Sequence, residues 1–169
     1  LANKDCKFEY RSSRFKTTDK GRFLICSITL KLSKHTPRPP FYSSLQTYLD
    51  EHDIKHFDAP TLRKAVVAIR SAKMPDWHKV ANNGSFFANP IVTKKRYEQL
   101  TEKYPELVAW EYKDGYKLAA AWLVEQAGFK GMSDVETGMA TWPKQALVLV
   151  NEHARSTNDL LSFKKKIVD

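Results

Sequence analysis

The sequence predicts an α+β fold, and three stretches carry that expectation. Residues 22–32 set Leu24, Cys26, Ile28, Leu30 and Leu32 on one side of an extended backbone and Ser27, Thr29 and Lys31 on the other, the period of a half-buried strand. Leu62, Ala65, Val66 and Ile69 recur at the i, i+3, i+4, i+7 spacing of an amphipathic helix. Ala146-Leu147-Val148-Leu149-Val150-Asn151 is a continuous apolar run of the length of a buried strand.

Taken in order, the chain opens on Cys6-Lys7-Phe8-Glu9-Tyr10-Arg11-Ser12-Ser13-Arg14-Phe15-Lys16, where aromatics and cations interleave. Such a stretch can stack bases or flavin rings, or can be an irregular loop whose aromatics fill a core. The strand of residues 22–32 follows Gly21 and places Cys26 on its buried face. Thr36-Pro37-Arg38-Pro39-Pro40 cannot continue it, because proline removes ladder donors, and so marks a boundary. Ser43 or Ser44 is positioned to cap a short helix carrying Leu45, Tyr48 and Leu49, with Tyr42 just outside it. Asp58-Ala59-Pro60 starts the amphipathic helix, which ends near Lys73-Met74-Pro75. Thr93 caps a polar helix to about Lys103, with Tyr97 and Leu100 inward. Asp114-Gly115 is a turn that either joins two short strands or leads into the helix of residues 117–126, for which Gly128 is the stop. Residues 137–142 read as extended, and a last helix capped at residues 156–158 turns Leu160, Leu161, Ile167 and Val168 inward.

Asn82-Asn83-Gly84-Ser85-Phe86-Phe87-Ala88-Asn89-Pro90 is the most unusual stretch. Asn-Gly tolerates positive φ, and the Phe pair must then enter a core. Ser85 is thereby held at the boundary between turn and core, flanked by amides able to hold a polar ligand. An ordinary buried turn fits the same residues.

Length and composition bound the rest. The 169 residues make about one domain, and 42% hydrophobic with 28% charged residues is the balance of a soluble globular protein. No run of 18 apolar residues and no leader-like start is present, so neither a membrane span nor export is expected. Both termini read as interior to a longer chain. Two distant cysteines, Cys6 and Cys26, fit neither a disulfide scaffold nor a zinc site, which suits a reducing cytoplasm. The net charge of +9 attracts polyanions without choosing among nucleic acid, membrane surface and small diphosphates. No G-x-G-x-x-G, P-loop, H-E-x-x-H or nucleophile elbow occurs, and apart from a His52/His56 pair the histidines have no metal-site spacing, so no metal is expected. Ser85 has no adjacent base, so proton donation is easier to support for it than attack.

Four motifs in order go further: Tyr10 to Lys16, Arg70 to Asp76, Asn83 to Pro90 and Gln145 to Asn151. Together they resemble the UDP-N-acetylenolpyruvoylglucosamine reductase family, flavoenzymes of bacterial peptidoglycan precursor synthesis. The resemblance implies that residues 1–40 end an α+β flavin-binding domain and residues 41–169 form a smaller α+β substrate-binding domain, incomplete at its C-terminus. It implies FAD and NADPH as cofactors and the reduction of UDP-N-acetylglucosamine enolpyruvate to UDP-N-acetylmuramate. The enzyme would be a cytoplasmic monomer serving cell wall biogenesis, cell shape and cell division, with no nucleic-acid partner and no membrane insertion. By the same resemblance Ser85 is the proton donor. Arg11 stabilises developing charge and, with Tyr10, contacts the cofactor. Tyr42, Lys73, Asn89, Lys117 and Gln145 contact substrate. Two departures stand out: Asn83 replaces the commoner alanine, and Ala88 stands where lysine is frequent. The family's catalytic glutamate follows the last helix, beyond Asp169, so this chain alone is expected neither to hold FAD well nor to turn over. The competing reading is a basic, non-enzymatic module binding nucleic acid or a nucleotide-sugar.

Overall fold

Proline at positions 37, 39 and 40 denies the backbone three donors, and the chain divides at the first of them. In the computed structural model, which describes residues 1–169, the two units are Leu1–Thr36 and Pro37–Asp169.

Leu1–Thr36 contains two short 3-10 turns, Asn3–Cys6 and Arg14–Lys16. Arg14 joins them, donating from Nη1 to Asp5 O at 3.3 Å, and is itself held by the buried Asp19 carboxylate, which accepts from Arg14 Nε at 2.5 Å and from Arg22 Nη1 at 3.0 Å. Residues 22–32 form no strand, contrary to their alternation. They are irregular and exposed throughout, Leu24 at 88% and Leu32 at 82%, and Cys26 is an exposed thiol rather than a buried one. A strand exists by exchanging hydrogen bonds with a neighbour, and no strand of this chain pairs with these residues.

Pro37–Asp169 begins with two packed helices, α1 (Ser43–Glu51) and α2 (Ala59–Lys73), closed around Leu45, Leu49, Leu62 and Ala65. Asp58 caps α2 as its sequence predicts, accepting the Thr61 N–H at 2.7 Å. The serines do not cap α1. Both lie inside its first turn, and Tyr42 takes the cap position with no side-chain bond.

A four-stranded antiparallel sheet follows, ordered β1 (Asn82–Ser85), β7 (Gln145–Asn151), β6 (Met139–Trp142), β5 (Ser133–Asp134). Both its faces are covered, which is why residues 146–150 read as an unbroken apolar run. On one face Met139 and Leu149 pack with Phe86, Phe87 and Phe163 of helix α5 (Thr157–Val168). On the other, Ala140, Val148 and Val150 pack with Met74, Val80 and Trp142. A second antiparallel sheet has the order β2 (Ile91–Thr93), β4 (Gly115–Leu118), β3 (Ala109–Tyr112), flanked by α3 (Lys94–Lys103) and α4 (Ala120–Gln126). Thr93 caps α3 by accepting the Arg96 N–H at 3.3 Å. The β3–β4 hairpin is closed by Lys113-Asp114, one residue earlier than the Asp114-Gly115 turn expected, with Gly115 the first residue of β4 opposite Tyr112.

Two helices differ from expectation. Lys117 and Leu118 belong to β4, not to the following helix, because the Leu118 N–H bonds Pro90 O and the Ala119 N–H bonds Val108 O, each at 2.9 Å. In α5 the inward stripe is Leu160, Phe163 and Ile167, leaving Leu161 and Val168 exposed. One aromatic at i+3 sets the helical phase there. Lys166 of the basic run bonds Asp134 at 3.0 Å and Glu136 at 2.5 Å.

Phe163 has no exposed surface, so Phe163→Ala is expected to cost about 3–5 kcal/mol in urea denaturation, and Leu161→Ala less than about 1. The Thr137 hydroxyl and then Lys166 hold the Asp134 carboxyl below its ordinary range, against the opposing effect of burial. A depressed carboxyl contributes stability above its ordinary pKa and loses it as pH falls through the folded value. Asp134→Asn should therefore flatten the acid limb of the stability–pH curve, read from urea midpoints; because Asp134 also helps raise the Lys166 pKa, the alkaline limb should soften as well.

Candidate active site

The side chain of Asn82 organises the turn before Ser85. Its Oδ1 accepts the Gly84 N–H at 3.0 Å and its Nδ2 donates to Val80 O at 2.9 Å. Gly84 then takes φ +64°, which glycine adopts without steric cost. The result is a β-bulge. Asn82 lies opposite Val150 and Ser85 opposite Val148, so β1 advances three residues while β7 advances two. The extra residue sets the faces of everything after it. Ser85 falls on the Val148 face, and the next residue, Phe86, falls on the opposite face with Leu149 and Phe163. Phe86 N–H bonds Leu147 O at 2.8 Å, locking that register. Ser85 itself is exposed, and its hydroxyl makes no hydrogen bond within the chain.

Lys73 and Gln145 are both joined to Trp142. The indole Nε1–H donates to Lys73 O at 2.9 Å, and Gln145 is the cross-strand partner of Trp142. The Lys73 side chain is exposed and joins no ion pair; Gln145 is half-buried.

Lys117 belongs to β4 of the three-stranded sheet, and Asn89 lies in the loop just before β2. Asn89 Oδ1 accepts the Ala120 N–H at 3.0 Å, which satisfies the first turn of α4 and leaves the amide NH2 outside that bond. Lys117 lies opposite both Ile91 and Trp110, and its ammonium stands 5.7 Å from the ring centres of Trp110 and of Tyr112. Sequence reading did not single out these two rings. The signal was their two-residue spacing on a strand facing a lysine. Trp110 is 50% exposed.

Tyr42 stands 55% exposed at the start of α1. Tyr10 and Arg11 lie in the Leu1–Thr36 unit, within the turn closed by the Glu9–Ser12 bridge, where Arg11 adopts φ +54°. The guanidinium fixed by hydrogen bonds is Arg14, not Arg11. His52 and His56 each have another partner: His52 Nδ1 lies 2.9 Å from Tyr48 O and His56 Nε2 lies 3.1 Å from Asp58.

Chemically, the Pro37–Asp169 unit offers an uncommitted hydroxyl, an unpaired lysine ammonium and two amides. That set can bind an oxygen-rich anion and present it with a weak proton donor. No histidine or carboxylate bonds Ser85, so the activation that a nucleophilic serine requires is missing.

A family model described as UDP-N-acetylenolpyruvoylglucosamine reductase, C-terminal domain, matches residues 76–169. Three curated proteins named UDP-N-acetylenolpyruvoylglucosamine reductase are similar along nearly the whole chain. That of Alcanivorax borkumensis is 40% identical over 99% of this chain and 48% of its own length. That of Bdellovibrio bacteriovorus is 38% identical over 99% and 49%. That of Flavobacterium johnsoniae is 37% identical over 99% and 50%. The chain thus spans about half the length of the curated relatives it matches.

At Gly84 a Cβ would meet nothing within 4 Å, so Gly84→Ala carries only the left-handed backbone penalty, about 1–2 kcal/mol. Gly138, at φ +66°, would place a Cβ 2.6 Å from His153 C and Ala154 N. Gly138→Ala should therefore cost more than Gly84→Ala in urea denaturation, since backbone must move as well.

Proposed function

The chain belongs to the UDP-N-acetylenolpyruvoylglucosamine reductase family, and from that premise we propose that it forms the substrate-binding part and the end of the flavin-binding part of such a reductase. The reaction is reduction of UDP-N-acetylglucosamine enolpyruvate to UDP-N-acetylmuramate in the cytoplasm, by a monomeric enzyme of peptidoglycan precursor synthesis. The observation that carries this reading is the uncommitted, exposed Ser85 hydroxyl, held by the Gly84 bulge within the family-matched segment.

Ser85 acts late in the reaction. Once hydride has reached one carbon of the enolpyruvyl double bond, the electron pair develops on the carbon beside the carboxylate. The Ser85 Oγ–H gives its proton to that carbon, forming the second C–H bond, and the oxygen regains a proton from water on its exposed side. Lys73 binds diphosphate oxygens, and the Asn89 NH2 donates to the same group or to the sugar. Gln145 hydrogen-bonds the nucleotide-sugar, Tyr42 covers it from the start of α1, and Lys117 adds a second cation.

Tyr10 and Arg11 suit a flavin. A half-exposed phenol ring beside an exposed guanidinium offers one flat surface and one cation, the pair of groups that an aromatic anion needs. These two residues would hold part of an FAD, which when bound would supply hydride drawn from NADPH. The exposed Arg11 guanidinium would supply positive charge to the flavin-binding part, where charge develops in the reaction.

In the full-length, flavin-loaded protein, Ser85→Ala should lower kcat for NADPH oxidation with the enolpyruvyl substrate roughly a hundredfold to ten-thousandfold, with KM little changed. An unchanged rate removes Ser85 as proton donor. Salt-sensitive binding of nonspecific DNA without binding of the UDP-sugar would favour a basic binding module instead.

A further inference from the structure

We propose that Trp142 is a positioning residue, which holds Lys73 in place relative to Ser85 and Gln145 by donating its indole N–H to the Lys73 carbonyl. The inference rests on the reductase reading and deepens it, because it assigns a residue outside the substrate-contacting set.

The end of α2 needs an outside donor. Met74 N–H returns to Arg70 O at 2.8 Å, and Pro75 has no N–H to offer. The last carbonyls of a helix have no intrahelical partner, and Lys73 is the last residue of α2. Trp142 Nε1 fills that vacancy from 69 positions away in sequence, and it is the one hydrogen bond between α2 and the four-stranded sheet. An indole has a single donor and no acceptor, so this bond uses the whole polar capacity of the side chain.

The ring itself is held from below. It packs with Met74 and Val80 against Ala140, Val148 and Val150. Beside it, Gly131 lies so close to Pro143 that a Cβ there would sit 3.3 Å from Pro143 Cα and Cβ, which limits sliding of the β6–β7 turn. Three separate segments therefore meet at one side chain. Val148 under the ring is the register partner of Ser85, Gln145 is the partner of Trp142, and Lys73 receives its N–H. The packing explains why a large ring stands there, but not why it must be a donor. The donor matters because Lys73 is exposed and joins no ion pair, so only its backbone fixes where its ammonium can reach.

The test is a double-mutant cycle on binding of UDP-N-acetylglucosamine enolpyruvate, read by calorimetry on the full chain and by KM and kcat in the full-length flavoenzyme. Trp142→Phe keeps a ring and removes the donor. It should raise Kd about tenfold and KM in parallel, with kcat changed less than about twofold. Lys73→Ala alone should raise Kd about tenfold, yet less than about twofold further when combined with Trp142→Phe, because the two act through one contact. Should Phe loosen the fold, as seen by a lowered urea midpoint, a benzothiophene analogue at position 142 keeps the bicyclic shape without the N–H and is expected to give the same result. Additive losses, about a hundredfold in the double variant, overturn the inference, as does wild-type affinity in both donor-free variants. Failure of the wild-type protein to bind the UDP-sugar at all overturns the reductase reading, and the inference with it.

Discussion

The extra residue in β1 at Asn83-Gly84 decides which side chains of the family-matched stretch meet solvent and which meet the core. Both faces of the four-stranded sheet are covered, so a slip of one residue has no neutral outcome. Without the bulge, Gly84 would stand opposite Val148, Ser85 would turn toward the Phe163 side and Phe86 would leave it. That exchange forfeits the burial of an aromatic ring, about 1.5–3 kcal/mol, and strands a hydroxyl in an apolar layer at about 1–3 kcal/mol. Exposure of Ser85 and burial of Phe86 are therefore one event. Asn82 sets the turn, Gly84 supplies the conformation, and the Phe pair drives the choice.

What could be read from the residues, and what could not, follows from how local each signal is. Asp58 and Thr93 cap their helices as expected because a cap involves residues three apart. A hairpin near Asp114 and the buried strand expected over residues 146–151 are legible for the same reason, although the turn falls one residue earlier, at Lys113-Asp114. Residues 22–32 show the limit. Their alternation specifies a face without specifying a neighbour, and a strand unpaired within its own chain stays exposed. Lys117 shows the reverse case. Its surroundings favour a helix by propensity, yet cross-strand bonds to Pro90 and Val108 on either side of Leu118 override it. In α5 the apolar residues were visible, but their phase was not. Phe163 settles it because one large buried ring outweighs the two leucine-sized alternatives.

Among the site residues, sequence reading reached those whose chemistry is carried by the side chain itself and missed those that act through geometry. Ser85, Lys73 and Gln145 were singled out as groups; the indole that joins two of them was not, since nothing in Thr141-Trp142-Pro143 announces a contact with residue 73. Trp110 and Tyr112 stand under Lys117 through cross-strand register, which no local pattern announces. Asn89 gained a second duty, because its carbonyl oxygen caps α4. Substituting it would disturb the fold as well as any ligand.

The net charge of +9 is informative once its members are sorted by partner. Arg14 and Arg22 are engaged by Asp19, Lys130 by Glu125, Lys55 by Asp53 and Lys166 by Asp134 and Glu136. Lys117 stands over two aromatic rings. Lys73 and Arg11 have no carboxylate of their own. A cation already paired contributes little to an incoming anion, since binding must first break that pair or share it; an unpaired one offers its full interaction. Lys73 and Arg11 are among the many cations of this chain that have no ion pair. A small diphosphate can be held at a few defined points by such cations. A duplex, by contrast, needs a continuous basic face.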